Sequence, residues 1–152
     1  MKGNVTKIGK NPYLWFRFNS TKVNMRIEKL VEEKYTALTL LEEKLDSRLA
    51  PSLKSELITL NAEGARNILL NLKEVKYVDS SGLSAILTAN RLCAAASGTL
   101  VLCCLNPHVQ KLVEISHLNS VLNILGTEEE GRDAIFMAEI ENEIVEQGGG
   151  QE

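Results

Sequence analysis

Residues 66–105, "RNILLNLKEVKYVDSSGLSAILTANRLCAAASGTLVLCCL", decide the fold. Arg66 to Leu72 is a nearly continuous apolar run, which fits a strand covered on both faces in the middle of a sheet. The period then changes. Leu83, Ile86, Leu87, Asn90 and Cys93 recur at helical spacing, and Ala89, Ala94 and Ala96 permit close packing. Ser97-Gly98 ends that helix, and "TLVLCCL" is a second buried strand stopped by Asn106-Pro107. A strand, a helix and a second strand joined in this way require a crossover and therefore parallel pairing.

Upstream, "MRIEKLVEEKYTALTLL" (residues 25–41) reads as two short strands. Ile27, Lys29 and Val31 share one side of the first, Tyr35, Ala37, Thr39 and Leu41 alternate in the second, and Glu32-Glu33-Lys34 forms the turn. Leu49, Leu53, Leu57 and Leu60 then mark one buried helix face. Pro51 places the start of that helix near Leu49 or Ala50, with an exit at Asn61 to Gly64. Downstream, "PHVQKLVEIS" restarts a helix with Val109, Leu112, Val113 and Ser116 along one face, and "SVLNIL" is a short fifth strand. Gly126 to Gly131 reads as an acidic loop, "RDAIFMAEIENEIVE" as a last amphipathic helix, and residues 146–152 as a disordered tail.

The expected fold is α/β, a single mixed sheet of about five strands packed by about four helices. Sites in such sheets form at the C-terminal ends of parallel strands. Asp79-Ser80-Ser81-Gly82 lies in one of those places.

Composition narrows the function. With 44% apolar and 24% charged residues in 152, the chain is expected to form one soluble domain. No apolar run is long enough to cross a bilayer and no secretory signal is evident, so the expected location is cytoplasmic. Cys93, Cys103 and Cys104 sit in apolar or helical stretches and read as small buried hydrophobes. His108 and His117 lack partners at zinc spacing, so neither a metal nor a cofactor is expected. Charge is uneven: residues 1–24 hold five basic and no acidic residues, whereas the other 128 hold 12 and 20. The first segment also carries Tyr13, Trp15, Phe16 and Phe18. This break sets residues 1–24 apart as a non-native or disordered extension, with Met25 as an alternative start. A basic aromatic arm for a membrane surface or nucleic acid, and an extra strand or docking arm, are the other readings.

The serine pair admits three roles. One of Asp79, Ser80 and Ser81 can cap the helix. A nucleophile would need a base and usually a Gly-x-Ser-x-Gly elbow, but Val78 and Asp79 stand two residues before the serines, and nothing brings His108 or His117 to Ser81. No Walker loop or Gly-x-Gly-x-x-Gly is present. The third role fits the position best: a hydroxyl at a helix N-terminus, where the dipole stabilises an added phosphate. Modification would add a charge of about −1.5 to −2. A partner burying this surface would then have to desolvate a dianion beside Asp79.

"YVDSSGLSAIL" after "NILLNL", with "LDS" upstream and "TLVLCCLNPHVQKLVEISHL" downstream, closely resembles the STAS domain of bacterial anti-sigma factor antagonists. The resemblance covers about residues 25–140, within a domain expected over 25–145. It implies a protein without catalysis of its own. Such a protein binds an anti-sigma factor that is also an ATP-using serine kinase, releases the sigma factor, and is switched off by phosphorylation. A PP2C-type phosphatase would reset it. The implied phosphoacceptor is Ser81, with Asp46, Asp79 and Ser80 facing the kinase and Gly82 letting the partner come close. Neither direct nucleic-acid binding nor membrane insertion is implied. The alternative within the family is a non-cycling STAS subunit of a larger assembly, such as a lipid transporter. Two positions depart from the family: Glu43 replaces a glycine, and Ser116-His117-Leu118 replaces Ser-Gly-Leu.

Overall fold

The apolar strands are buried on both sides because each sends alternate residues to opposite faces of one sheet. The computed structural model describes residues 5–7, 14–17 and 25–149. In chain order the strands are β1 (Val5–Lys7), β2 (Leu14–Arg17), β3 (Ile27–Val31), β4 (Thr36–Leu40) and β5 (Lys44–Leu45), followed after the first helix by β6 (Ile68–Asn71), β7 (Tyr77–Val78), β8 (Leu100–Cys103) and β9 (Asn123–Leu125). The helices are α1 (Ala50–Ala62), α2 (Ser80–Ala95), α3 (Pro107–Ile115) and α4 (Glu128–Gly149). Seven strands form the sheet in the order β1-β2-β3-β4-β6-β8-β9. β1 to β4 pair antiparallel, and β4, β6, β8 and β9 pair parallel.

Five of these strands are the ones expected within residues 25–145. The other two come from the segment expected to be an extension outside the fold. There, β1 and β2 continue the sheet from the free edge of β3, and an open edge is a template for such pairing. The rest of residues 1–24 lies outside the described residues, as do residues 150–152.

Leu38, Leu40, Ile68, Leu70, Leu100 and Leu102 face α1, α2 and α3 in the larger core. Ala37, Leu69, Val101 and Cys103 face the other way, toward Ile135 of α4. Each fully buried leucine contributes about 1.5–3 kcal/mol relative to exposure. One charged pair interrupts the larger core side: Lys29 Nζ of β3 lies 3.6 Å from Glu56 Oε2 of α1, with both side chains under one-tenth exposed.

The last helix begins earlier and ends later than its apolar spacing suggests. Thr127 Oγ1 accepts from the Glu130 amide at 3.1 Å, and Glu130 Oε1 accepts from the Thr127 amide at 3.2 Å, a reciprocal capping box. Glu128, Glu129 and Glu130 form the first turn, where the helix dipole favours negative charge. The expected acidic loop is thus partly helix. At the other end α4 continues through Gly149, so residues 146–149 are helical where a tail was expected.

Candidate functional site at the start of the second helix

A two-residue parallel ribbon, separate from the main sheet, fixes the site. Lys44 pairs with Tyr77 and Leu45 with Val78. Asp46 and Asp79 therefore leave the ribbon at equivalent positions, on adjacent strands spaced about 4.8 Å apart. The Glu43 carbonyl accepts from the Lys76 and Tyr77 amides at 2.7 and 3.1 Å, and the Leu45 carbonyl accepts from the Asp79 amide at 3.3 Å. The Glu43 side chain points outward and pairs with Lys76 at 3.5 Å. Such short strands carry no readable periodicity, and the sequence reading contained neither.

The ribbon settles which residue caps the helix. Asp79 is the N-cap of α2, and its Oδ1 accepts from the Gly82 amide at 2.9 Å. That bond stabilises the helix by about 1 kcal/mol. Ser80 and Ser81 are the first two helical residues, Ser80 exposed and Ser81 half-buried. Neither hydroxyl has a hydrogen bond among the described residues, and at these positions the backbone amides lack intrahelical acceptors. Asp46 closes the turn that leads into α1, whose N-cap is Leu49. The Asp46 carbonyl accepts from the Leu49 and Ala50 amides at 3.0 and 2.8 Å, and its Oδ1 accepts from the Arg48 amide at 3.1 Å.

Gly82, expected to let a partner come close, also makes a close approach within the chain. It is buried. A β-carbon there would lie 2.4 Å from the Leu45 carbonyl oxygen and 2.8 Å from Val78 Cγ1. Glycine lets α2 seat directly on the ribbon.

Two grooves flank the helix start. One, of about 370 Å³, lies toward α3 and includes Asp79 and Ser80 beside Leu83, His108, Leu112 and Ser116. Tyr77 and Val78 border it. The other, of about 270 Å³, lies toward α1 and includes Ser47, Pro51, Lys54, Ser80, Ser81 and Ser84. His108 therefore shares a groove with Ser80 and not with Ser81, and no hydrogen bond joins it to Asp79 or Ser80 among the described residues. Lys54 and His108 had no local signal in the sequence. Only the packing of α1 against α2 and of α3 against β7 brings them here.

The remaining reactive side chains lie elsewhere. Burial pushes the Cys93 thiol up to about 11. Burial, with Cys104 next to it, also raises Cys103. Both are protonated at neutral pH. Among the described residues no group of three or more His, Cys, Asp or Glu could hold a metal, and no helix is long and apolar enough to cross a membrane. His117 follows the C-cap of α3 with a φ of 60°, the left-handed conformation that glycine favours.

Comparison with known proteins places this geometry. The sequence pattern of the STAS domain matches residues 18–131. BtrV of Bordetella bronchiseptica is 33% identical over 85 residues, 56% of this chain and 73% of that one. The anti-sigma-B factor antagonist of Staphylococcus aureus is 28% identical over 109 residues, 71% of this chain and all of that protein. Among solved structures, the anti-sigma factor antagonist SpoIIAA in its unphosphorylated form superposes with a TM-score of 0.58 at 22% identity, covering 73% of this chain and 96% of that one. A match spanning three quarters of the sequence, on the same arrangement of strands and helices, has one meaning: the chain belongs to the STAS domain family.

Proposed function

We propose that the protein is an anti-sigma factor antagonist, a binding module without catalysis of its own, switched by phosphorylation of Ser81. In the unphosphorylated state the face formed by Asp46, Asp79, Ser80 and Ser81 docks a cytoplasmic anti-sigma factor that is also a serine kinase, and the sigma factor is released. The kinase transfers the γ-phosphoryl of ATP to Ser81 Oγ, which loses its proton as ADP departs. A PP2C-type phosphatase hydrolyses the ester and restores the hydroxyl.

The observation that carries this reading is the division of labour at the start of α2. Asp79 supplies the cap, so neither serine hydroxyl is needed for the fold. Ser81 is accessible and stands at the positive end of a 16-residue helix. A phosphate there adds bulk and negative charge to the docking face while leaving the core untouched. The names of relatives such as the Staphylococcus aureus anti-sigma-B factor antagonist support the choice of partner.

Incubating the protein with its anti-sigma factor kinase and ATP, followed by intact-mass and peptide mapping, tests the assignment. One phosphate on Ser81 is expected. Label on another peptide would refute the site. No label at all would favour the non-cycling subunit, whose assembly needs no modification.

A further inference from the structure

The two grooves beside the α2 start differ in charge. The one toward α3 holds the Asp79 carboxylate, whereas the one toward α1 holds Ser81 and a single charged side chain, Lys54. We infer that Lys54 is the internal counter-ion of phosphorylated Ser81, an inference that rests on Ser81 being the acceptor.

Lys54 lies in the second turn of α1, is half-buried and lines the groove. Its ammonium has no ion pair or hydrogen bond among the described residues. A lysine kept near the surface of a groove with four serines and no carboxylate has no counter-charge until one arrives. The phosphoryl group on Ser81 brings that charge. Ser47 and Ser84 add hydroxyl donors on the same side, and the first-turn amides of α2 add the helix dipole. Asp79 Oδ1 is engaged by the Gly82 amide, and Asp79 lines the groove toward α3 and not the one toward α1. Held by Lys54, the phosphate closes against its own domain. A kinase that docks on the bare hydroxyl then meets a groove already filled.

An ammonium next to the phosphate favours the doubly ionised form and lowers its second pKa. Phosphoserine encoded at position 81 of the full chain allows this to be read by phosphorus NMR titration, without any kinase. The wild-type phosphate is expected to titrate below the ordinary value of about 6. Lys54→Gln is expected to raise that midpoint by about half a unit or more, and Lys54→Arg to restore it. A midpoint unchanged by Lys54→Gln would overturn the inference. Kinase labelling of a residue other than Ser81 would instead refute the acceptor assignment, and the encoded titration would still report on Lys54.

Discussion

Replacing Gly82 by alanine reverses the effect expected from helix propensity, and the structure gives the size of the reversal. Gly82 is the third residue of α2, and in an open helix alanine stabilises by about 0.5–1 kcal/mol over glycine. Here the added β-carbon meets the Leu45 carbonyl oxygen at 2.4 Å, Val78 Cγ1 at 2.8 Å and Leu45 Cγ at 3.0 Å. The first is backbone and cannot rotate away, so α2 or the β5–β7 ribbon must shift. Overpacking of this kind typically costs about 1–3 kcal/mol. The same carbonyl accepts from the Asp79 amide, and losing that bond adds about 1 kcal/mol. The net expectation is a loss of about 1–3 kcal/mol, or roughly 2–12 °C in Tm for a chain of this size. Gly148 provides the control, since it is also helical but a β-carbon there meets nothing within 4 Å. Gly148→Ala is expected to be neutral or slightly stabilising. Urea and thermal denaturation of both variants decide the matter. A Gly82→Ala protein as stable as wild type, or more so, would refute the seating of α2 on the ribbon.

Asp79 separates capping from charge: Asp79→Asn keeps an N-cap acceptor and should hold stability within about 0.5 kcal/mol, while Asp79→Ala should lose about 1 kcal/mol by urea denaturation. His117→Gly relieves a left-handed residue after α3 and should raise stability by about 0.5–1 kcal/mol. Alkaline pH acts through Cys93. Its folded-state thiol titrates near 11, above its ordinary value of 9.0, so its contribution is complete below about pH 9 and is lost as pH rises toward 11. The loss is of order 2–3 kcal/mol, and the stability gap between wild type and Cys93→Ala should narrow across that window. A constant gap from pH 8 to pH 11 would mean that the thiol is not shielded as described.

The legibility of this chain follows from the physics of its parts. β6 and β8 were readable because burial on both faces makes nearly every position apolar, Asn71 excepted, and α1 because its leucines repeat and Pro51 marks its first turn. Asp79, Ser80 and Ser81 stood out as a group because acid and hydroxyls cluster where a strand hands over to a helix. The ribbon that carries them was invisible: β5 and β7 are two residues each, and their pairing joins positions 33 apart. For the same reason the seating of Gly82 against Leu45 had no local signal. α4 shows a different failure. Its acidic start reads as a loop by composition, yet Thr127 and Glu130 had the spacing of a capping box. For β1 and β2, basic charge and aromatics set their segment apart from the rest of the domain and left an extra strand as only one of several readings; the backbone of β2 pairs antiparallel with β3.

The central claim is that a negative charge on Ser81 ends docking and leaves the fold in place. Calorimetric titration of the anti-sigma factor kinase with unmodified and Ser81-phosphorylated protein measures this directly, alongside the melting temperature of each form. The account predicts a rise in Kd of at least about fivefold, the equivalent of 1 kcal/mol or more, with nearly equal melting temperatures. Equal Kd values for the two forms, or a phosphorylated protein that no longer folds, would contradict it.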